Sequence, residues 1–584
     1  MTRSPARKIA LLAALGAAAL IPGLAASAAD PVTFTKPVNA TKANLDPGRL
    51  LSSPAFAVDP ADPTRIVAGY ADLRSRRCGM LRSADAGQTW AIAEGSPAEA
   101  SYPFCSQSQG GVIQAPVAFG RDGTVYMALN GWDDQDGSRP GGAILLARTN
   151  DLGNTWETQV AYNARGKTGE QAESPRPVQS LAVDRTSGSA DIVYITFGIS
   201  RPGFTTPNAV PTSPVVAVSR DGGRTFDAPV DLAAGRFESQ AIRDQALAAV
   251  TTTVPAAGAT TTSTTIPAAG SKGATPNQAA NFGGASGRNG LEARVDAKGT
   301  AYVMWRSGTA NIANSPPAAL FISKSTDGGR TWAPSMSLPF SYDTPNARYA
   351  ISPEGTLHMA YQRNPQPSVN SLGEVYHRAS TDGGKTWSEP KVLSDDDPNH
   401  LFGQFFPNIS VAPNGRIDVV WWDTRDDPGI RSNDVYYAYS TDNGATWSAN
   451  TRITDQVVDR RFGVWGINYD INSPPGVGSA DEFAVFGWDD TRFSRGDAGA
   501  VETADPVAEG EGFGGGVQDV FISAAQFAPI ATGSSDAAKI VLAAVVGLLI
   551  VGVALVVAAT ISRRRVGGGP PSRTVKGKES ATVT

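Results

Sequence analysis

The sequence is short of the residues that carry metal and thiol chemistry, with three histidines and two cysteines in 584 residues. His358, His377 and His400 stand in no paired spacing such as HExxH, which argues against a zinc site. Asp395-Asp396-Asp397, and Asp423 with Asp426 and Asp427, match no EF-hand loop and read as solvated loop carboxylates. No metal and no cofactor is expected. A basic excess is lacking too: 50 Lys and Arg stand against 55 Asp and Glu. That balance leaves no electrostatic footprint for nucleic acid.

Long apolar runs are confined to the two ends of the chain, and they set the expected compartment. Arg3, Arg7 and Lys8 precede an apolar run from Ile9 to Leu20, and Ala26-Ser27-Ala28 supplies a small-residue cleavage site, so 1–28 reads as a signal peptide. Ile540 to Ile561 is 22 residues without a charge, followed at once by Arg563, Arg564 and Arg565. Such a run spans a hydrocarbon core of about 30 Å as a helix. The arginines then hold the tail, 562–584, in the cytoplasm. The expectation is an exported, single-pass cell membrane protein with an extracellular ectodomain over 31–530. In an oxidising compartment Cys78 and Cys105, on either side of the first copy of the repeat described next, are expected to form a disulfide.

What the chain has in quantity is one repeated octapeptide, best seen as STDGGRTW from Ser325 to Trp332. Five more copies run from Ser83, Thr149, Ser219, Ser380 and Ser440, each with Ser or Thr first, Asp third, Gly fifth, Thr seventh and an aromatic eighth. Asp at the third position can accept hydrogen bonds from the backbone of its own turn, and Gly two residues later permits the φ > 0 that closes a tight hairpin. The aromatic then opens a strand with a large apolar payload. This segment resembles the Asp-box, or bacterial neuraminidase repeat. That resemblance implies an all-β propeller in which each box joins the third and fourth strands of a blade.

Alternating apolar segments with a Gly turn between them, such as APVAFGRDGTVYMAL from Ala115 and PNISVAPNGRIDVVWW from Pro407, supply first and second strands. A seventh unit keeps its strands at Phe483 and Val517 without a box, so seven blades are expected, with six as the alternative. PVTFT from Pro31 is expected to complete the last blade and close the ring. Successive boxes are 66, 70, 106, 55 and 60 residues apart, and the long interval holds a low-complexity insertion at 250–289 that reads as disordered or O-glycosylated. A second excursion runs from Gly496 to Gly516.

With the boxes on one side of the disc, the loops joining second to third strands emerge on the other. Those loops supply the candidate ligand-face residues Asp72, Arg74, Asp134, Arg201, Arg306, Arg363, Asp423, Arg425, Asp489 and Arg492. Guanidinium groups pair bidentately with carboxylates, and a ring of them with carboxylates around one mouth suits an anionic or polyhydroxylated ligand. Equally, a repeated Trp-Asp-x-Arg element can serve to lock adjacent blades together.

From roughly Phe56 to Phe527 the chain is similar to the sialidase superfamily. The resemblance implies an arginine trio for a substrate carboxylate, a Tyr/Glu nucleophile pair and an aspartate acid/base. The Tyr/Phe-Arg-Ile-Pro motif that carries the first of those arginines is absent; Gly48-Arg49-Leu50-Leu51 and Ser174-Pro175-Arg176-Pro177 are the nearest substitutes. Glu173, Glu374, Tyr376 and Asp470 are of the right kind, and no catalytic role is assigned to any of them. Two functions remain open: a cell-surface glycan-recognising propeller that acts as a sialidase-like glycoside hydrolase, or a non-enzymatic binding scaffold with a glycan or protein partner.

Overall fold

The computed structural model describes residues 32–44, 46, 48–52, 54–105, 115–133, 142–165, 174–175, 178–200, 212–233, 291–307, 319–338, 346–363, 373–396, 403–427, 432–459, 462–463, 474–495 and 517–527. The signal segment 1–28, the insertion 250–289, the excursion 496–516, the apolar run 540–561 and the tail 562–584 lie outside the described residues. Among the described residues no helix is long and apolar enough to cross a membrane.

The second strand of each unit shows why these residues form sheets. Ile66–Asp72, Val125–Gly131 and Ile417–Asp423 are buried along their whole length, so both faces of the strand must be covered. Near-continuous apolar sequence answers that demand. Seven antiparallel sheets result, each built on four strands. Blade 1 runs from Ala55–Val58 to Ala91–Ile92, blade 2 from Val117–Phe119 to Glu157–Asn163, and blade 3 from Ser180–Asp184 to Val230–Asp231. Blade 4 spans Glu292–Val295 to Met336–Ser337, blade 5 Arg348–Ile351 to Lys391–Val392, and blade 6 Gln404–Val411 to Thr451–Arg452. Blade 7 contributes Gly476–Ser479, Phe483–Asp490 and Asp519–Gln526. Each innermost strand touches the next, and that of blade 7 touches that of blade 1. The count is seven, and the six-bladed alternative is set aside.

The core is divided among the seams between blades. Val420, Trp422 and Tyr437 of blade 6 meet Phe486, Trp488 and Phe521 of blade 7 in one cluster. Met304, Leu320 and Ile322 of blade 4 meet Tyr349, Met359 and Tyr361 of blade 5 in another. Every other pair of neighbours shares a comparable cluster.

The six octapeptides lie between third and fourth strands, and they share one hydrogen-bond pattern. The Thr amide at the seventh position donates to Asp Oδ1 at 2.8–3.0 Å. The first-position hydroxyl accepts from the Gly amide at 2.8–3.0 Å. Bonds from the Thr hydroxyl and amide hold the carboxyls of Asp382 and Asp442 down at about 2. The fifth-position glycine does two things. It takes positive φ, 76° at Gly329 and 84° at Gly444. It also lets the turn press on the preceding blade: a Cβ at Gly444 would stand 2.4 Å from His377, and one at Gly223 2.4 Å from Leu146.

His377 is itself paired with His358, Nδ1 of His358 lying 3.2 Å from Nε2 of His377. Burial pushes both imidazoles down, to about 4 and about 3, so the pair is neutral. These two histidines belong to the seam between blades 5 and 6.

The ring closes as the sequence predicts. Thr33–Phe34 pairs antiparallel with Ala525 and Gln526, and Val38–Asn39 with Phe521 and Ile522. Past these strands Arg49 grips Asp519 through two bonds, at 2.7 and 2.8 Å. Cys78 and Cys105 form the expected disulfide, 27 residues apart, in a small cluster with Leu50, Ala71 and Leu73.

Two outcomes follow for stability. Replacing both cysteines by alanine frees a loop of that length and is expected to cost roughly 3–4 kcal/mol by loop entropy, read from denaturant midpoints; an unchanged midpoint would show that the staple is redundant. At the fourth position of its turn Ala86 takes φ 58°. A left-handed conformation costs a side chain about 1–2 kcal/mol. Ala86→Gly, after its own entropic cost, is therefore expected to gain up to about 1 kcal/mol, and a loss of that size would refute the strain.

Candidate functional site

On the face opposite the octapeptides, the structure first shows what the Trp-Asp-x-Arg element does. In blade 6 the Trp421 indole donates to Asp423 at 3.0 Å, and the Arg425 amide and Nε donate to the same carboxylate at 2.8 and 2.9 Å. Blade 7 repeats this with Trp488, Asp490 and Arg492, at 2.9, 2.9 and 3.0 Å. The repeat is thus Trp-x-Asp-Thr-Arg, in which Asp490 rather than its buried neighbour Asp489 holds the arginine. Each guanidinium is also stacked, Arg425 at 4.2 Å over Tyr436 and Arg492 at 3.8 Å over Phe521. Each reaches a second carboxylate, Asp395 at 2.8 Å and Asp455 at 2.7 Å.

The other candidates are placed differently. Asp72 shapes its own loop, accepting from the amides of Leu50 and Arg74 at 3.2 and 3.1 Å, while the Arg74 side chain lies over Gly48. Asp134 and Arg201 lie outside the described residues, as do Glu173 and Asp470. Arg306 is the penultimate residue of the second strand of blade 4, Ala301–Ser307, and burial lowers its pKa. Its Nε has no hydrogen-bond partner, and no described carboxylate pairs with it. Arg49, the nearest substitute for the missing motif, is spent on Asp519.

At the junction of blades 5 and 6 the fold does assemble a titratable group of an unusual kind. Glu374 opens the third strand of blade 5, opposite Arg363 of the second. Burial pushes its carboxyl up to about 7, the nearby charges of Asp396 and Asp423 adding to the shift while the Ser394 hydroxyl, which donates to it, opposes. Asp423, fully buried, is also raised by burial, against the pull of Arg425. Gln404, opposite Asp423 in the sheet, donates to Asp396 at 2.8 Å. Two residues along the same strand face, Tyr376 stacks on Tyr361 at 5.7 Å, with the Arg363 guanidinium 5.8 Å from its ring. Burial raises the Tyr376 hydroxyl, Arg363 lowers it and Glu374 raises it again.

Arg363, Asp423 and Arg425 are therefore brought together with Glu374 and Tyr376. Arg74, Arg306 and Arg492 belong to other blades. Ser394 and Asp396 escape sequence reasoning because they come from the connection between blades, which carries no repeat, and Gln404 because it opens the first strand of blade 6, outside the repeated octapeptide. Asp396 stands inside the run Asp395-Asp396-Asp397, its only signal.

The BNR/Asp-box repeat family model matches residues 378–389 and 438–449, two of the six octapeptides with two residues on either side. This chain is an Asp-box β-propeller. No curated protein matches it. Among solved structures the propeller is similar to a protein of unknown function from Dyadobacter fermentans DSM 18053, at 11% identity over 85% of this chain and 99% of that one, with a TM-score of 0.41. It is similar to the Trypanosoma rangeli sialidase in complex with the inhibitor DANA, at 11% identity over 73% of this chain, 57% of that one and a TM-score of 0.35. The Penicillium chrysogenum alpha-L-arabinanase complexed with arabinobiose matches at 12% identity over 70% and 98%, with a TM-score of 0.37. None of these likenesses transfers a residue role to the Asp-box propeller described here.

The raised Glu374 carboxyl fixes a pH dependence. In the folded chain it holds its proton up to about 7, against an ordinary value of 4.5. The folded state thus binds more protons across that window, and stability falls as pH rises through it. The penalty is absent below about 4.5 and complete above about 7, at most about 3 kcal/mol. Glu374→Gln should remove it, so the variant gains on the wild type by up to that amount between pH 4.5 and 8 in urea titrations. A pH-independent difference would contradict the assignment.

Proposed function

We propose that this chain is an exported propeller, tethered by its C-terminal apolar run, that recognises glycans with the face opposite its Asp boxes. The observation that carries the reading is Glu374. A carboxyl that keeps its proton near neutrality, next to Asp423, Asp396 and an aromatic hydroxyl, suits proton transfer to a glycosidic oxygen. Tyr376 and Tyr361 supply an apolar surface beside it, and Arg306, without a described counter-charge, supplies an acceptor-seeking group for an acidic substituent on the ligand. On this reading the protein is a glycoside hydrolase of sialidase-like type in which Glu374 acts as the acid.

A second reading, a binding scaffold without turnover, draws support from a specific feature. Arg49, Arg425 and Arg492 are consumed by carboxylates of the protein itself, so none of them is left to clamp a substrate.

Purified protein screened against a glycan array and a panel of glycosides separates the two. Hydrolysis predicts turnover that Glu374→Gln lowers by about a hundredfold or more, within the range general acids contribute, with binding kept within a few-fold. Arg306→Ala is expected to weaken binding of acidic glycans by about tenfold. Binding without product anywhere in the panel would establish the scaffold, and no glycan binding at all would end both readings.

A further inference from the structure

The innermost strands of the seven blades enclose a central channel of about 340 Å3. Apolar side chains enter it from five different blades, Phe56, Val117, Ala182, Ile409 and Val477, beside polar ones such as Gln179, Ser180, Asn408 and Ser410. Charge enters it from two neighbours only, Glu292 and Arg294 of blade 4 and Arg348 of blade 5. Among the described lining residues no other side chain carries a charge.

These three groups do not balance. Glu292, 3% exposed, accepts from Arg348 at 2.6 Å and from the Tyr349 amide at 3.1 Å. Arg294 stands 3.6 Å from the same carboxylate and donates to the Ala293 carbonyl at 2.9 Å. One carboxylate therefore serves two guanidiniums, and one positive charge is left over in the channel wall. Arg294 also stands 5.6 Å over the Tyr349 ring, and among the described residues no further hydrogen-bond acceptor engages either guanidinium. Both side chains remain partly open, at 30% and 19%. A net positive charge lining a confined channel focuses its field there and draws an anion of opposite sign. Two guanidinium forks on adjacent strands offer the planar donor geometry that oxyanions accept.

We propose that the central channel binds a small oxyanion, held between Arg294 and Arg348. The site is separate from the Glu374 cluster, and it stands whether or not the glycan reading does. Glu292 limits its strength by competing for Arg348.

The test uses inorganic phosphate as the probe and the melting temperature of the purified full-length protein as the readout. Chloride at matched ionic strength is the reference. Wild type is expected to gain stability with phosphate and to saturate. Arg294→Gln leaves the Arg348 pair with Glu292 intact and should need at least tenfold more phosphate for half the effect. Glu292→Gln frees Arg348 and should need less phosphate than wild type. Phosphate acting no differently from chloride, or all three proteins following one curve, would overturn the site. Should Arg294→Gln fail to fold, the opposite shift expected of Glu292→Gln still decides.

Discussion

Every blade of this protein depends on having both of its faces covered. A four-stranded sheet whose central strand is buried from end to end, as Ile417–Asp423 is, has no solvent side and no stability alone. The fold meets that demand by making each blade the neighbour of two others, so the hydrophobic core is seven seams rather than one centre. Each remaining feature of the scaffold serves a seam. The fifth-position glycine of each Asp box allows close approach to the preceding blade, and Trp332 and Trp447 reach back to Tyr194 and His377. The Trp-x-Asp-Thr-Arg latches do the same on the opposite face, where Arg425 ties its own loop to Asp395 from blade 5.

This division of labour explains why one repeat builds the scaffold and another set of residues holds the chemistry. Box carboxylates are saturated by their own turns, with Thr amide and hydroxyl donors within hydrogen-bond distance, and have nothing left to offer a ligand. The unusual groups sit where the repeat is interrupted. Glu374 owes its proton affinity first to burial and then to the charges of Asp396, between blades 5 and 6, and Asp423 of blade 6. Arg294 and Arg348 face an axis that no single blade defines.

Legibility in the sequence follows the same line. The boxes are local, eight residues satisfying their own hydrogen bonds, and could be read letter by letter. So could the strand that closes the ring, since PVTFT alternates and the seventh unit lacks a partner. Cys78 and Cys105 were paired by count and compartment. The loop arginines were visible as a pattern, and only coordinates tell a latch such as Arg425 from a buried guanidinium without a described counter-charge such as Arg306, because both follow an aromatic near the end of a second strand. The register slip between Asp489 and Asp490 arose from two adjacent aspartates that sequence cannot rank. All six fourth positions of the box take positive φ, which Gly222, Gly328, Gly383 and Asn443 suit, whereas the letters at Ala86 and Leu152 give no sign of it. The raised Glu374 was beyond reach altogether, for its shift comes from burial, with Asp396 and Asp423 adding to it and Ser394 opposing, residues separated from it by 20 to 49 positions.

The strand that seals the ring joins Thr33 to Gln526 across nearly the whole propeller. A chain made from its N-terminus must therefore carry its first strand unpaired until the last blade exists. Assembly of the six inner seams can proceed in order as blades appear. The seventh cannot, and contacts so far apart in sequence form slowly. Until that step the molecule is an open arc with two raw sheet edges, which makes the interval between synthesis and closure the time of greatest exposure to proteases and to other copies of itself.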